Sequence, residues 1–165
     1  LMIVEKELKS IYQEIAETVN KMIPEEWEKF YFYAQISDTG GGTYFFYNSP
    51  NNLNDFQYSV EIPYNFTVNR NVFDEYNNNL FDLADKMREV FKKHEQELWY
   101  SFTMSLERSG KFNIHFDYTD WFKTDYDFNE QLDIWEYKYL GKEPTDPRKQ
   151  KLIEKYLEEF PDNPI

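Results

Sequence analysis

The sequence predicts an α+β fold: an antiparallel sheet of about five strands with helices packed on one face, in the order α-β-β-β-α-β-β-α-α. Three observations carry this prediction. Apolar residues recur at helical steps near both ends of the chain and in its middle. Between those stretches they alternate with polar residues, the period of strands with one buried face. Clusters of glycine, asparagine and serine separate the alternating runs by the short distances that hairpins need.

Val4, Leu8, Ile11, Ile15, Val19 and Met22 define the first helix, which Pro24 ends. Over residues 30–36, Phe30, Phe32, Ala34 and Ile36 alternate with Tyr31, Tyr33 and Gln35, which is a strand. Asp38 to Gly42 reads as a loop before a second strand over Thr43–Tyr47. After the turn-rich stretch Asn48–Asp55, Phe56, Tyr58, Val60 and Ile62 alternate in a third strand closed by Pro63. From about Val72 to His94 the helical period returns, carried by Phe73, Tyr76, Leu80, Leu83, Ala84, Met87, Val90 and Phe91. A hairpin follows. Tyr100, Phe102, Met104 and Leu106 alternate with Ser101, Thr103, Ser105 and Glu107, a turn holds Ser109-Gly110, and Phe112, Ile114, Phe116 and Tyr118 alternate on the return. The polar side of that hairpin is expected to be wet or covered by something polar. Asp127 with Glu130 has the spacing of a capping box, and Gly141 fits the stop of the helix it opens. Asp146-Pro147 starts the last helix and Pro161 stops it.

Composition bounds the function. At 165 residues, the chain is expected to form one domain over residues 1–165 with a core of its own. Without cysteine it has neither disulfides nor thiolate metal sites. The apolar residues near the N-terminus are interrupted by Glu5, Lys6, Glu7 and Lys9, so no signal or membrane-spanning segment is expected there, and a cytoplasmic location follows as an expectation. Aromatic residues make up 20% of the chain, far too many for a disordered one. The net charge of −13 disfavours direct binding of nucleic acid or of anionic membranes and suits a basic protein partner.

Catalytic chemistry finds little support. His94 sits late in the long helix, where a cation suits the helix dipole. His115 lies between Asn113 and Asp117 on the polar strand face, but no motif supplies it with a nucleophile. Asp117, Asp120, Asp125, Asp127 and Glu130 are dense enough to suggest a hard cation, yet their spacing is not that of a calcium loop and the required glycine is missing. The chain contains neither a phosphate-binding nor a dinucleotide-binding glycine motif, and Gly40–Gly42 does not lead into a helix. The sequence is therefore read as that of a non-enzyme without cofactor or metal.

The charge map is more informative. Residues 117–136 hold seven acids against Lys123 alone, a net charge of −6 and nearly half the total. Tyr118, Trp121, Phe122, Tyr126, Phe128 and Trp135 lie among them. Carboxylates that steer a basic partner, beside aromatics that anchor it, make a protein-binding surface. The candidate residues are Asp117, Trp121, Asp120, Asp125, Asp127, Glu130 and Asp133. An alternative assigns the polar strand face of Ser101, Thr103, Ser105, Asn113 and His115 to an adaptor, an export chaperone or a homodimeric scaffold. A homo-oligomer is compatible with the sequence, though nothing in it indicates one.

Several runs carry a family resemblance. They are Ile23-Pro24-Glu25-Glu26-Trp27 leading into Phe30-Tyr31-Phe32-Tyr33-Ala34, Tyr58-Ser59 before Ile62-Pro63, Gly110-Lys111-Phe112, and Trp135-Glu136-Tyr137-Lys138-Tyr139-Leu140-Gly141 followed by Pro144. In these the chain resembles, over essentially its whole length, the YezG/EsaG-like immunity proteins, antitoxins against nuclease toxins exported by type VII secretion. The resemblance implies a cytoplasmic inhibitor that binds a basic nuclease-toxin domain. It implies no catalytic residue.

Overall fold

In the computed structural model, which describes residues 2–165, the element order of the sequence is realised around one five-stranded sheet. Helix α1 (Met2–Met22) precedes β1 (Lys29–Ser37), β2 (Gly40–Ser49) and β3 (Asn52–Tyr58). A short helix α2 (Ile62–Asn65) and the long α3 (Arg70–Lys93) lead to β4 (Ser101–Glu107) and β5 (Phe112–Asp117). Helices α4 (Phe128–Leu140) and α5 (Pro147–Glu159) complete the chain. The strands lie in the order β3-β2-β1-β4-β5, every neighbouring pair antiparallel. The crossover through α3 carries the chain from one edge of the sheet to the far side of β1.

Central β1 is buried on both faces. Phe30, Phe32, Ala34 and Ile36 pack with Phe45, Phe102 and Met104 against Ile11, Ile15 and Val19 of α1 and Leu80, Ala84 and Met87 of α3. The opposite face, expected to be wet or covered by something polar, is covered by α4 and α5 except at β5, where Asn113 and His115 are exposed, so helices lie on both sides of the sheet. Trp135 of α4 stacks on Tyr33 and Phe46, with ring centroids at 5.4 and 4.8 Å. The polar residues under these helices are matched rather than solvated. The Trp135 indole donates to Thr103 Oγ1 at 2.9 Å, and Gln35 Nε2 donates to Gln131 Oε1 at 2.6 Å. Gln131 in turn donates to the Tyr126 carbonyl at 2.7 Å. Buried polar groups cost little when so paired. Ser101, Thr103 and Ser105 are accordingly buried.

Two local expectations also change. Gly40–Gly42 begins β2 rather than forming a loop, because the turn is confined to Asp38-Thr39. A Cβ at Gly41 would run into the Gln35 carbonyl, so the glycine serves close strand approach. The third strand stops at Tyr58 instead of running to Ile62. The Phe45 N–H donates to the Ser59 hydroxyl at 3.1 Å, ending the ladder, and Pro63 then opens α2. Both C-terminal helices start as expected. Asp127 and Glu130 form the reciprocal capping box, Gly141 closes α4 at φ +67°, and Asp146 caps α5.

Candidate partner-binding surface

The acidic segment leaves the sheet at the end of β5 and divides at once into an inner and an outer set. Asp117 is only 3% exposed. Its carboxylate accepts the Trp121 indole N–H, the Ser101 hydroxyl at 3.4 Å and the Thr119 N–H at 3.0 Å. Trp121 is buried as well, packed against Phe160, Tyr126 and Tyr156 with centroids at 4.9, 5.6 and 5.9 Å. Neither side chain is free to meet a partner. Together they fold the loop. His115 and Asp117, two residues apart on one strand face, make no catalytic pair: Asp117 is engaged as above, and the exposed His115 ring bonds the Pro164 carbonyl.

The short 3-10 turn Trp121–Lys123 sends Trp121 inward and its neighbour Phe122 outward. Phe122 is 48% exposed and Tyr118 45%, so these, rather than Trp121, are the aromatic side chains the segment offers to solvent. Both stand among the segment's aromatics in the sequence, but one short turn has no period to show which of Trp121 and Phe122 faces in, and the alternation that set Tyr118 on the apolar strand face outruns β5, which ends at Asp117. The Tyr118 hydroxyl is held above its ordinary pKa by burial and then by the Glu97 carboxylate, which adds an acid from outside the segment.

The remaining candidates fall into two groups. Asp120 lies beside Lys123 at 3.7 Å, while Asp125 and Asp127 are exposed. The Asp127 carboxylate accepts the Glu130 N–H at 2.8 Å, and Glu130 accepts the Asp127 N–H at 3.0 Å. The Tyr126 hydroxyl is pushed up to about 12 by burial first, then by the carboxylates of Glu159, Glu130 and Asp125. Glu159 thus brings a further acid to this surface from α5. Asp133, by contrast, faces Lys149 at 3.7 Å in a cleft of about 420 Å³ between α4 and α5. Arg148, Lys151 and Lys155 also line that cleft, so its charge is mixed. Among the described residues, no three acidic or histidine side chains come close enough together to hold a metal ion. No helix among them is long and apolar enough to cross a membrane.

The geometry therefore presents an acidic loop with two exposed aromatics, backed by a buried carboxylate–indole clasp. Comparison with known proteins gives this surface its context. The family model described as immunity protein YezG-like matches residues 8–154. The immunity protein YezG of Bacillus spizizenii is 35% identical over 150 residues, covering 91% of this chain and 90% of its own. The type VII secretion system protein EsaG of Staphylococcus aureus is 35% identical over 162 residues, covering 96% and 99%. The immunity protein YezG of Bacillus subtilis is 33% identical over 150 residues, covering 91% and 99%. A family model across most of the chain, and relatives aligned over nearly their full lengths, agree: this chain belongs to the YezG-like immunity protein family.

Proposed function

We propose that the protein neutralises the nuclease domain of a toxin exported by type VII secretion, binding it in the cytoplasm of the producing cell. Family membership supports the immunity role and, through the name of the Staphylococcus aureus relative, the secretion system. The observation that carries the nuclease reading is the acidic segment 117–136, of net charge −6, whose loop before α4 exposes Tyr118 and Phe122 beside Asp125 and Asp127. A nuclease holds phosphates with basic groups, and a carboxylate surface competes for those groups. In this reading Asp120, Asp125, Asp127 and Glu130 face the toxin, with Tyr118 and Phe122 as apolar anchors. Asp133 contributes at the margin, through the mixed cleft. Asp117 and Trp121 act as positioning residues. The adaptor, export-chaperone and scaffold readings lose their motive, because most of the polar strand face that suggested them is covered by α4 and α5.

Co-expression with the toxin domain encoded beside its gene tests the proposal. Growth should be rescued and a complex should co-purify. The combined variant Asp120→Asn, Asp125→Asn and Asp127→Asn should then weaken binding at least about tenfold. Asparagine still caps α4, so the effect reports charge rather than loss of a helix start. Rescue and undiminished binding by that variant would place the interface elsewhere on the molecule.

A further inference from the structure

The outer edge of the sheet beside this loop has a chemistry of its own. The β4–β5 hairpin closes with the Glu107 N–H donating to the Lys111 carbonyl at 2.9 Å and the Gly110 N–H to the Glu107 carbonyl at 2.8 Å. In an antiparallel ladder alternate residues bond inward. Counting from Lys111, Asn113, His115 and Asp117 therefore turn their main-chain groups to β4, and Phe112, Ile114 and Phe116 turn theirs outward. Among the described residues, no strand lies beyond β5.

Edges of this kind are usually blunted by lysine, proline or a bulge. The opposite edge is: β3 keeps only a few pairs with β2, and its register shifts between Tyr47 and Ser49. On β5 the register is regular over six consecutive pairs, and residues 112–116 include no charged side chain and no proline. Beside it lies a largely apolar groove of about 350 Å³, lined by Lys9, Tyr12, Gln13, Ala16, Leu106 and Phe112. The Tyr12 and Phe112 rings meet there at 5.3 Å, and Phe112 is 39% exposed. At its far end the edge runs directly into Tyr118, Asp120 and Phe122.

We propose that the β5 edge takes an extended segment of the toxin as a sixth strand of the sheet. The inference rests on the immunity reading above and extends it from a charged patch to a main-chain dock. The outward-facing backbone groups require a strand. The groove requires apolar side chains at alternate positions of that strand. Glu97 favours lysine or arginine where it passes Tyr118, and the acidic loop beyond favours basic residues further on. A basic segment is drawn to this edge, whereas a second copy would bring two chains of net charge −13 together.

Residue-resolved amide exchange on the free protein and on its complex with the co-expressed toxin domain tests the dock. The N–H groups of Phe112, Ile114 and Phe116 should slow at least about tenfold in the complex, while those of Asn113 and His115, already bonded to β4, change less. Ile114→Pro, which removes an outward donor, should weaken binding by a similar factor, and Ile114→Leu should not. Protection of residues 118–130 with no change at Phe112, Ile114 and Phe116 would overturn the dock and leave the acidic surface standing. A complex that protects neither region would overturn both. Protection of the edge that grows with the concentration of this protein alone would assign it to a second copy and overturn the proposal.

Discussion

At the scale of single residues, the side chain that does most to shape the surface lies buried beneath it. Asp117 gathers an indole N–H, a hydroxyl and a backbone N–H at the point where the chain leaves the sheet. Removing a buried acceptor strands its donors, which costs more than an ordinary hydrogen bond contributes. Asp117→Ala should therefore lower the free energy of unfolding by about 2–4 kcal/mol in a urea titration. Asp117→Asn, which keeps an acceptor oxygen, should recover at least half of that loss. A loss below about 0.5 kcal/mol for the alanine variant would mean that the clasp does not hold the loop. Trp121 belongs to the same clasp, and its role as a wedge was hidden in the sequence. An acidic segment rich in aromatics reads alike whether a ring points into a core or out of it.

At the scale of elements, much of the fold was legible. The helical stripes of α1 and α3, the β4–β5 hairpin and the caps of α4 and α5 are local patterns, and each stands where its pattern put it. What stayed hidden was the second face of the sheet. Alternation records polarity, and Tyr33, Gln35, Ser101, Thr103 and Ser105 are polar enough to read as wet. Their partners lie far along the chain: Trp135 is 32 residues from Thr103, and Gln131 is 96 from Gln35. No periodicity within one segment can show a match at that distance. The aromatic layer formed there has a measurable signature. Burial, above all, raises the Tyr126 and Tyr139 hydroxyls to about 12 and also raises those of Tyr33, Tyr58 and Tyr156. A folded pKa above the unfolded value of 10.0 means that this stabilisation is complete below about pH 10 and is lost as pH rises through the folded values. Phenolate absorbance should thus rise in two stages, the exposed tyrosines first and the buried ones with the loss of circular dichroism. A single non-cooperative titration of all 14 near pH 10 would contradict the layer.

At the scale of the whole molecule, charge and shape divide the work of recognition. Two helical layers cover the sheet faces, and the dock proposed above lies on the rim, at the β5 edge and the acidic loop that continues it. Net charge of −13 acts at a distance and would accelerate encounter with the basic domain proposed above before any contact forms. The association rate with the toxin domain should consequently fall at least about tenfold between low and physiological salt, with a much smaller change in the dissociation rate. Equal sensitivity of both rates, read by stopped flow, would point instead to ion pairs dominating the final complex. An immunity protein gains from this division, because capture must outrun the toxin's chemistry while retention rests on short-range contacts.

The burial of the rings also decides how the molecule can be watched. Trp27, Trp99, Trp121 and Trp135 all lie inside the folded protein, none more than 5% exposed. Their fluorescence will sit at short wavelength and resist iodide quenching until the protein unfolds. Docking at Tyr118, Phe122 or the β5 edge makes no direct contact with those indoles, all of which are buried. The intrinsic emission is therefore a clean reporter of folding and a nearly silent one for binding, so a signal that changes on mixing with a tryptophan-bearing toxin belongs to the toxin.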